Sequence, residues 1–167
     1  IKGGENMFMP DPKIDAVKPG PVGLHSIGGL LKHLPALTCL GSPTVNSYRR
    51  LWDTGFWAPV YADWGYQNRT CSVRVSAPGR VEYRSGDASH NPYLMGAGIL
   101  NAFADGLDNK IDPGEPEKKN IYDAMEGGKK VEKLPMTLGE AIERLDSDDV
   151  VKAALPEDML RVFMHYK

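Results

Sequence analysis

The sequence predicts an α+β domain, an antiparallel sheet with packed helices. Three observations carry that prediction. Apolar and polar residues alternate in "CSVRV" and "GRVEYR", the period of a strand with one buried face. Leu24, Ile27, Leu30, Leu31 and Leu34 recur in "LHSIGGLLKHL" at helical spacing. Asn91 and Pro92 open "NPYLMGAGILNAFADGL" as an N-cap and a first-turn proline would. At 167 residues and 41% hydrophobic content the chain is long enough for one sizeable core and too short for two comfortable domains.

Each element has its own signal. Residues 1–22, rich in Gly, Pro and Asp, read as an irregular arm, and residues 23–167 as the body of the domain. The first helix is expected to end or kink at Pro35. Ser42 as cap and Pro43 as first residue predict a short second helix that presents Arg49 and Arg50. "APVYADWGYQNRTCSVRV" is rich in β-formers, and "CSVRV" is predicted to pair with "RVEYR" through the turn "SAPG". Each of these strands then offers arginine on one face and a core on the other. The helix that begins at Pro92 should run to about Leu107. Thr137 to Lys167 reads as two or three short amphipathic helices, with Pro156 and Glu157 starting the last.

Composition narrows the function classes. Twenty Lys and Arg stand against 22 Asp and Glu, giving net charge −2, so a nucleic acid finds no global attraction and any phosphate binding must be local. No apolar run approaches the roughly 18 residues of a membrane span, and no cleavable signal opens the chain. Cys39 and Cys71 lie in apolar surroundings without C-x-x-C spacing, so neither a disulfide framework nor a zinc knuckle is signalled; a reducing, cytoplasmic setting fits. The opening "IKGGENMFM" has no initiator Met, which suggests that part of the protein is absent.

The chemistry-bearing residues concentrate in one region. If "GRVEYR" is a strand, Arg80, Glu82 and Arg84 share a face as a ladder of plus, minus, plus. Within 35 positions Arg50, Arg69, Arg74, Arg80 and Arg84 surround that one carboxylate. Guanidinium groups match phosphate and carboxylate oxygens bidentately, and a carboxylate is the hard oxygen ligand that Mg²⁺ takes; the set suits phosphoryl transfer. The bland alternative is a solvated sheet face with cross-strand ion pairs, each worth under about 1 kcal/mol. Trp52, Phe56, Trp57 and Trp64 form an aromatic cluster that suits either a pocket or ordinary core packing. "MGAGILNAFADG" contains G-x-G but has Asn101 at the third glycine position, so Gly96 and Gly98 are read as allowing close helix packing rather than as a dinucleotide site. His25, His33, His90 and His165 show no metal-ligand spacing and read as structural or surface groups.

Taken together, "NSYRRL", "APVYADWGYQNR", "RVEYRSGDASHNPYL" and "DGLDNKIDPG" resemble the C-terminal part of the glutamine synthetase family, and "GENMF" and "IGGLLKHLPALTCL" resemble the lead-in to it. The resemblance implies roles residue by residue. Arg50 would hold the carboxylate of glutamate. Arg69 would meet the phosphoryl group in flight, and Arg74 and Arg80 would bind ATP phosphates. Glu82 would ligate Mg²⁺ or Mn²⁺, while Arg84 would neutralise the side-chain carboxylate and the acyl phosphate it becomes. Family members activate the γ-carboxylate of glutamate with ATP and then let an amine displace phosphate, splitting one hard step into two easier ones.

Two departures from the family pattern shape the expectation. Where the ammonia-using members carry a glutamate before "AP", this chain has Trp57, which cannot accept a proton but can pack on an organic amine, worth roughly 1.5 to 3 kcal/mol. The resemblance therefore implies a γ-glutamyl-amine ligase; the alternatives are glutamine synthetase proper, using ammonia, and a non-catalytic structural or regulatory relative. The family's E-x-E metal ligands and His-rich segment lie upstream of this chain, which is expected to need that half and the neighbouring subunits of a homo-oligomeric ring. Tyr122 of "KNIYDAM" matches a position adenylylated in some bacterial members, but the sequence that usually follows is missing and the modification is not expected.

Overall fold

The structure, a computed structural model, describes residues 4–10, 16–52 and 58–167. Its elements are α1 (Pro21–Gly41), α2 (Val45–Trp52), β1 (Trp64–Tyr66), β2 (Val73–Ala77), β3 (Arg80–Tyr83), α3 (Pro92–Asp108), α4 (Ile121–Glu126), α5 (Leu138–Asp146), α6 (Asp149–Lys152) and α7 (Glu157–His165). The α+β class is as the sequence predicts. No helix among the described residues is long and apolar enough to cross a membrane.

The central element is α1, whose Ile27, Leu30, Leu34, Leu37 and Leu40 are all fully buried. It begins at Pro21, inside the stretch expected to be irregular, and it does not end at Pro35. An interior proline removes one helical hydrogen bond and costs about 3 kcal/mol. Every residue from Ala36 to Gly41 is nonetheless buried, and that packing holds the helix through the defect. The proline signal was correct locally and was overridden by tertiary contact.

Helix α3 lies against α1 at close range. A methyl group on Gly29 would sit 2.0 Å from the Ala102 carbonyl oxygen, and one on Gly106 would sit 2.2 Å from that of His25. Of the two glycines expected to permit close packing, Gly98 does so, facing Leu37 and Leu40 at under 3 Å, whereas Gly96 faces open space. Asn91 caps α3 as predicted, accepting from the amides of Tyr93 and Leu94. The cap of α2 differs from expectation: the Thr44 hydroxyl accepts from the Ser47 amide at 3.2 Å, so the helix starts after Thr44 rather than Ser42.

The sheet has the order β1-β2-β3. β2 and β3 form the predicted antiparallel pair, with Val73 opposite Tyr83, Arg74 opposite Glu82 and Val75 opposite Val81. β1 adds to β2 in parallel, which makes the sheet mixed rather than wholly antiparallel. Only residues 67–72 join those parallel strands, far short of the crossover that parallel pairing ordinarily needs. The two thiols are free and buried; burial pushes Cys39 up to about 11 and Cys71 up to about 12.

Thr137 caps α5, Asp148 caps α6, and α7 opens at Glu157, matching the predicted C-terminal helices. Helix α4, capped by Asn120, has too short an apolar repeat to have been read from sequence. The α1–α3 contact sets a test of the fold. Gly29→Val should destabilise the protein by about 3 kcal/mol or more through backbone overpacking, measured by urea unfolding, while Gly96→Ala should be neutral or slightly stabilising.

Candidate active site

The β2–β3 hairpin places Arg74 directly opposite Glu82, so their side chains leave the sheet on the same face. Arg74 Nη2 lies 3.0 Å from Glu82 Oε2, and Arg84 Nε lies 3.3 Å from Glu82 Oε1. One carboxylate is thus shared between two guanidinium groups, each with a side chain only 14% exposed. Arg84 also donates from Nη1 to the backbone carbonyl of Arg69, and Arg50 donates from Nη2 to the carbonyl of Ser85 at 2.9 Å. Residues from the end of α2, the 67–72 loop and both strands of the hairpin therefore meet around positions 82–85.

The expected residues are not all alike within this cluster. Arg74, Glu82 and Arg84 are in direct contact, and Arg50 and Arg69 join through the backbone. Arg69 itself is exposed. Arg80 is also exposed, at the hairpin end where the register shifts between Val75 and Ala77. Trp57 and Phe56 lie outside the described residues. Trp64 is core, donating its indole N–H to the carbonyls of Pro113 and Gly114 and standing edge-on to Tyr66 at 5.5 Å.

The cluster has donor capacity to spare. Arg50 Nε and Arg74 Nε are buried and have no partner among the described residues. A buried unpaired donor costs on the order of 1–3 kcal/mol, more on a charged group, and an anion in hydrogen-bond reach would remove that cost. For a metal ion the fit is poorer. Glu82 has both oxygens engaged by arginine, and the described residues contain no group of three or more His, Cys, Asp or Glu able to hold a metal. Among the described residues the cluster offers one carboxylate, which is not by itself a metal site.

Two supports were not legible as such in the sequence. Asn68 fixes the loop that carries Arg69. Its carbonyl accepts from the Thr70 amide and hydroxyl at 3.0 and 2.7 Å, and its amide donates to the carbonyls of Glu117 and Lys119 at 3.2 and 2.7 Å. The "QNRT" composition is the turn signal that could have indicated it. Beside it, Lys129 Nζ joins Asp63 at 2.6 Å and Glu117 at 2.7 Å, tying the residues before β1 to the loop after α3. The hydrogen bond from Lys129 outweighs burial and holds the Glu117 carboxyl below its usual range.

Tyr122 turns inward, donating to the Ala58 carbonyl at 3.3 Å and packing edge-on to Tyr61 at 6.0 Å. A cleft of about 740 Å³ between the start of α1 and residues 112–118 is floored by Trp64 and Tyr66, and none of the clustered arginines lines it.

The domain is of the α+β class, and its hairpin brings two guanidinium groups onto one carboxylate. Residues 1–167 match the family described as "Glutamine synthetase, catalytic domain". The chain belongs to that family. It is 45% identical to a glutamine synthetase of Pyrococcus furiosus, covering 99% of this chain and 38% of the relative, and 40% identical to one of Sulfolobus acidocaldarius, covering 99% and 37%. Among solved structures, one described as a GmaS/ADP complex superposes with a TM-score of 0.88 at 34% identity, covering 98% of this chain and 38% of the other. An apo GmaS without ligand gives 0.87 at 35% identity, covering 98% and 37%. The chain thus spans about two fifths of the length of the relatives it matches.

The ion triad gives a test of the scaffold. Lys129→Met leaves Asp63 and Glu117 buried without their cation and should cost about 3 kcal/mol, the low end for a broken buried pair because Lys129 is partly exposed. The Glu117 contribution is present above the ordinary value of 4.5 and lost as pH falls through its lowered folded value. The acid limb of the stability profile, followed by circular dichroism, should therefore be shallower in that variant.

Proposed function

We propose that this chain is the arginine-bearing part of an ATP-dependent ligase that joins an amine to the γ-carboxylate of glutamate through a γ-glutamyl phosphate. The observation that carries this reading is the convergence of Arg74 and Arg84 on Glu82, beside buried unpaired donors on Arg50 and Arg74. Family membership adds the reaction class, and the similarity to a GmaS/ADP complex supports a nucleotide as ligand.

In this reading a γ-carboxylate oxygen attacks the terminal phosphorus of ATP and ADP leaves. The amine nitrogen then attacks the acyl carbon, inorganic phosphate leaves with the bonding pair, and the nitrogen loses a proton. Arg74 and Arg80 hold the nucleotide phosphates, and Arg69 reaches the transferring phosphoryl group from a loop that Asn68 fixes. Arg50, its Nη2 already bonded to the Ser85 carbonyl, holds the amino-acid carboxylate with its remaining donors. Arg84 neutralises the γ-carboxylate and then the acyl phosphate. A divalent ion, Mg²⁺ or Mn²⁺, would offset phosphate charge. Glu82 is its one candidate ligand in this cluster, so the remaining ligands, like part of the glutamate pocket, come from outside this chain, from its own upstream part and from neighbouring subunits.

For the nucleophile we favour an organic amine, because Trp57 stands where ammonia-using members carry a carboxylate. Glutamine synthetase proper is the second reading, favoured by the names of the curated relatives at 40–45% identity. The test uses the full-length protein with glutamate, ATP and a panel of alkyl and aryl amines beside ammonium, measuring ADP release and amide product. A larger kcat/KM for an organic amine than for ammonium is expected; the reverse establishes the second reading, and no glutamate-dependent ADP release with any amine removes both. Trp57→Glu should move preference toward ammonium, and unchanged selectivity would take Trp57 out of the argument. Arg69→Ala should lower kcat on the order of 10³-fold, as transition-state arginines do, and a loss below about tenfold contradicts its role.

A further inference from the structure

Away from the arginine cluster, His33 lies inside the helical layer with its side chain only 4% exposed. Its Nδ1 is 2.7 Å from Asp148 Oδ2 and its Nε2 is 2.9 Å from Asp105 Oδ2. A carboxylate only accepts hydrogen bonds, and a neutral imidazole has only one N–H to give. Two such bonds from one ring require both nitrogens to carry protons.

We infer that His33 is an imidazolium at neutral pH and acts as a proton-dependent strut, fastening α1 to α3 and to the cap of α6. Charge balance leads to the same form. Lys32 Nζ also meets Asp105 Oδ2, at 2.8 Å, so two cations face two carboxylates when His33 is protonated, and a net negative charge is left among the helices when it is not. Both carboxylates have independent reasons to stay ionised. Asp148 Oδ1 accepts from the amides of Val150 and Val151 as a helix cap, and Asp105 Oδ1 accepts from the Asn109 side chain. The remaining helix packed on α1, α5, turns Ala141 and Leu145 to the core while its Glu140, Glu143, Arg144 and Asp146 are exposed, and on α6 the exposed Asp149 pairs with Lys152, so among the described residues the balance is set by Lys32, His33, Asp105 and Asp148.

The titration directions agree with the geometry. Burial disfavours the charged ring, but the hydrogen bonds and charges of Asp148 and Asp105 outweigh it and raise the His33 value above 6.5. Burial likewise works against the ionised Asp105 and Asp148, and their hydrogen bonds to His33, with Lys32 on Asp105, hold both below 3.8. The His33 contribution is full below its unfolded value and is lost as pH rises through the raised folded value. The two aspartates contribute above their unfolded value, and that share is lost as pH falls through their lowered ones.

The experiment has two arms. Thermal unfolding between about pH 5 and pH 9 should show Tm falling by roughly 2–8 °C on the alkaline side, and His33→Gln, which cannot donate to both carboxylates or carry charge, should lower Tm at about pH 6 and lose that alkaline fall. His25→Gln should retain it. Nitrogen-15 NMR of the His33 ring in the unaltered protein should find both nitrogens protonated at neutral pH, and this arm decides the matter where the variant does not fold. An unprotonated ring nitrogen at neutral pH, or an alkaline fall that persists in His33→Gln, overturns the inference.

Discussion

The constraint on which the molecule depends is the burial of α1. A helix apolar on nearly every side is stable in water only when other elements cover it, and here α3, α5, α6 and the sheet each supply part of the cover. Covering it at short range required small residues where backbones meet, at Gly29 and Gly106. The C-terminal end of the same helix then organises the arginine cluster. The Gly41 carbonyl accepts from the Asp87 amide at 2.8 Å, and the Ser42 hydroxyl donates to the Ser85 carbonyl at 3.3 Å. That same Ser85 carbonyl holds Arg50. The placement of a substrate-binding candidate is therefore inherited from core packing rather than from local loop preference.

Gathering arginines is electrostatically unfavourable unless something negative stands among them. Glu82 provides that charge through the cross-strand register, which makes Arg74 its direct neighbour, and Arg84 reaches it from beyond the strand end. A partly buried carboxylate between two guanidinium groups is a stable arrangement, but it leaves donors over. Among the described residues the atoms left over are Nε of Arg50 and Nε of Arg74, both buried.

Much of the fold was legible in the sequence because the signals were local. The Asn91–Pro92 cap, the Thr137 and Pro156 starts and the alternation of Val73 and Val75 around Arg74 all act within a few residues of where they are written. The failures have different causes, core packing that overrode a local signal at Pro35 and local geometry that the residue pattern did not single out at the α2 cap and at β1. Pro35 should have interrupted α1 and did not, Ser42 lost the cap to Thr44, and β1 joined in parallel over a loop too short for a crossover to be anticipated. In the site, the nearness of Glu82 to Arg84 was readable from the period of "GRVEYR", but the second guanidinium on Glu82 is that of Arg74 across the hairpin rather than that of Arg80, which is exposed. The tie from Asn68 to the carbonyls of Glu117 and Lys119 and the Asp63–Lys129 arm of the ion triad were not readable, because those partners lie 49, 51 and 66 positions apart. His33 belongs to the same class: its two carboxylates are 72 and 115 positions distant.

The two cysteines have a practical consequence. Each thiol is enclosed, Cys39 within the buried half of α1 and Cys71 at the foot of β2, and each holds its proton well past physiological pH. A group of that kind is nearly inert toward alkylating reagents while the chain stays closed. Labelling at either position consequently reports how often its surroundings open, one beside the helix that organises the core and the other beside the strands that carry the guanidinium cluster, so the protein contains its own pair of reporters for local breathing.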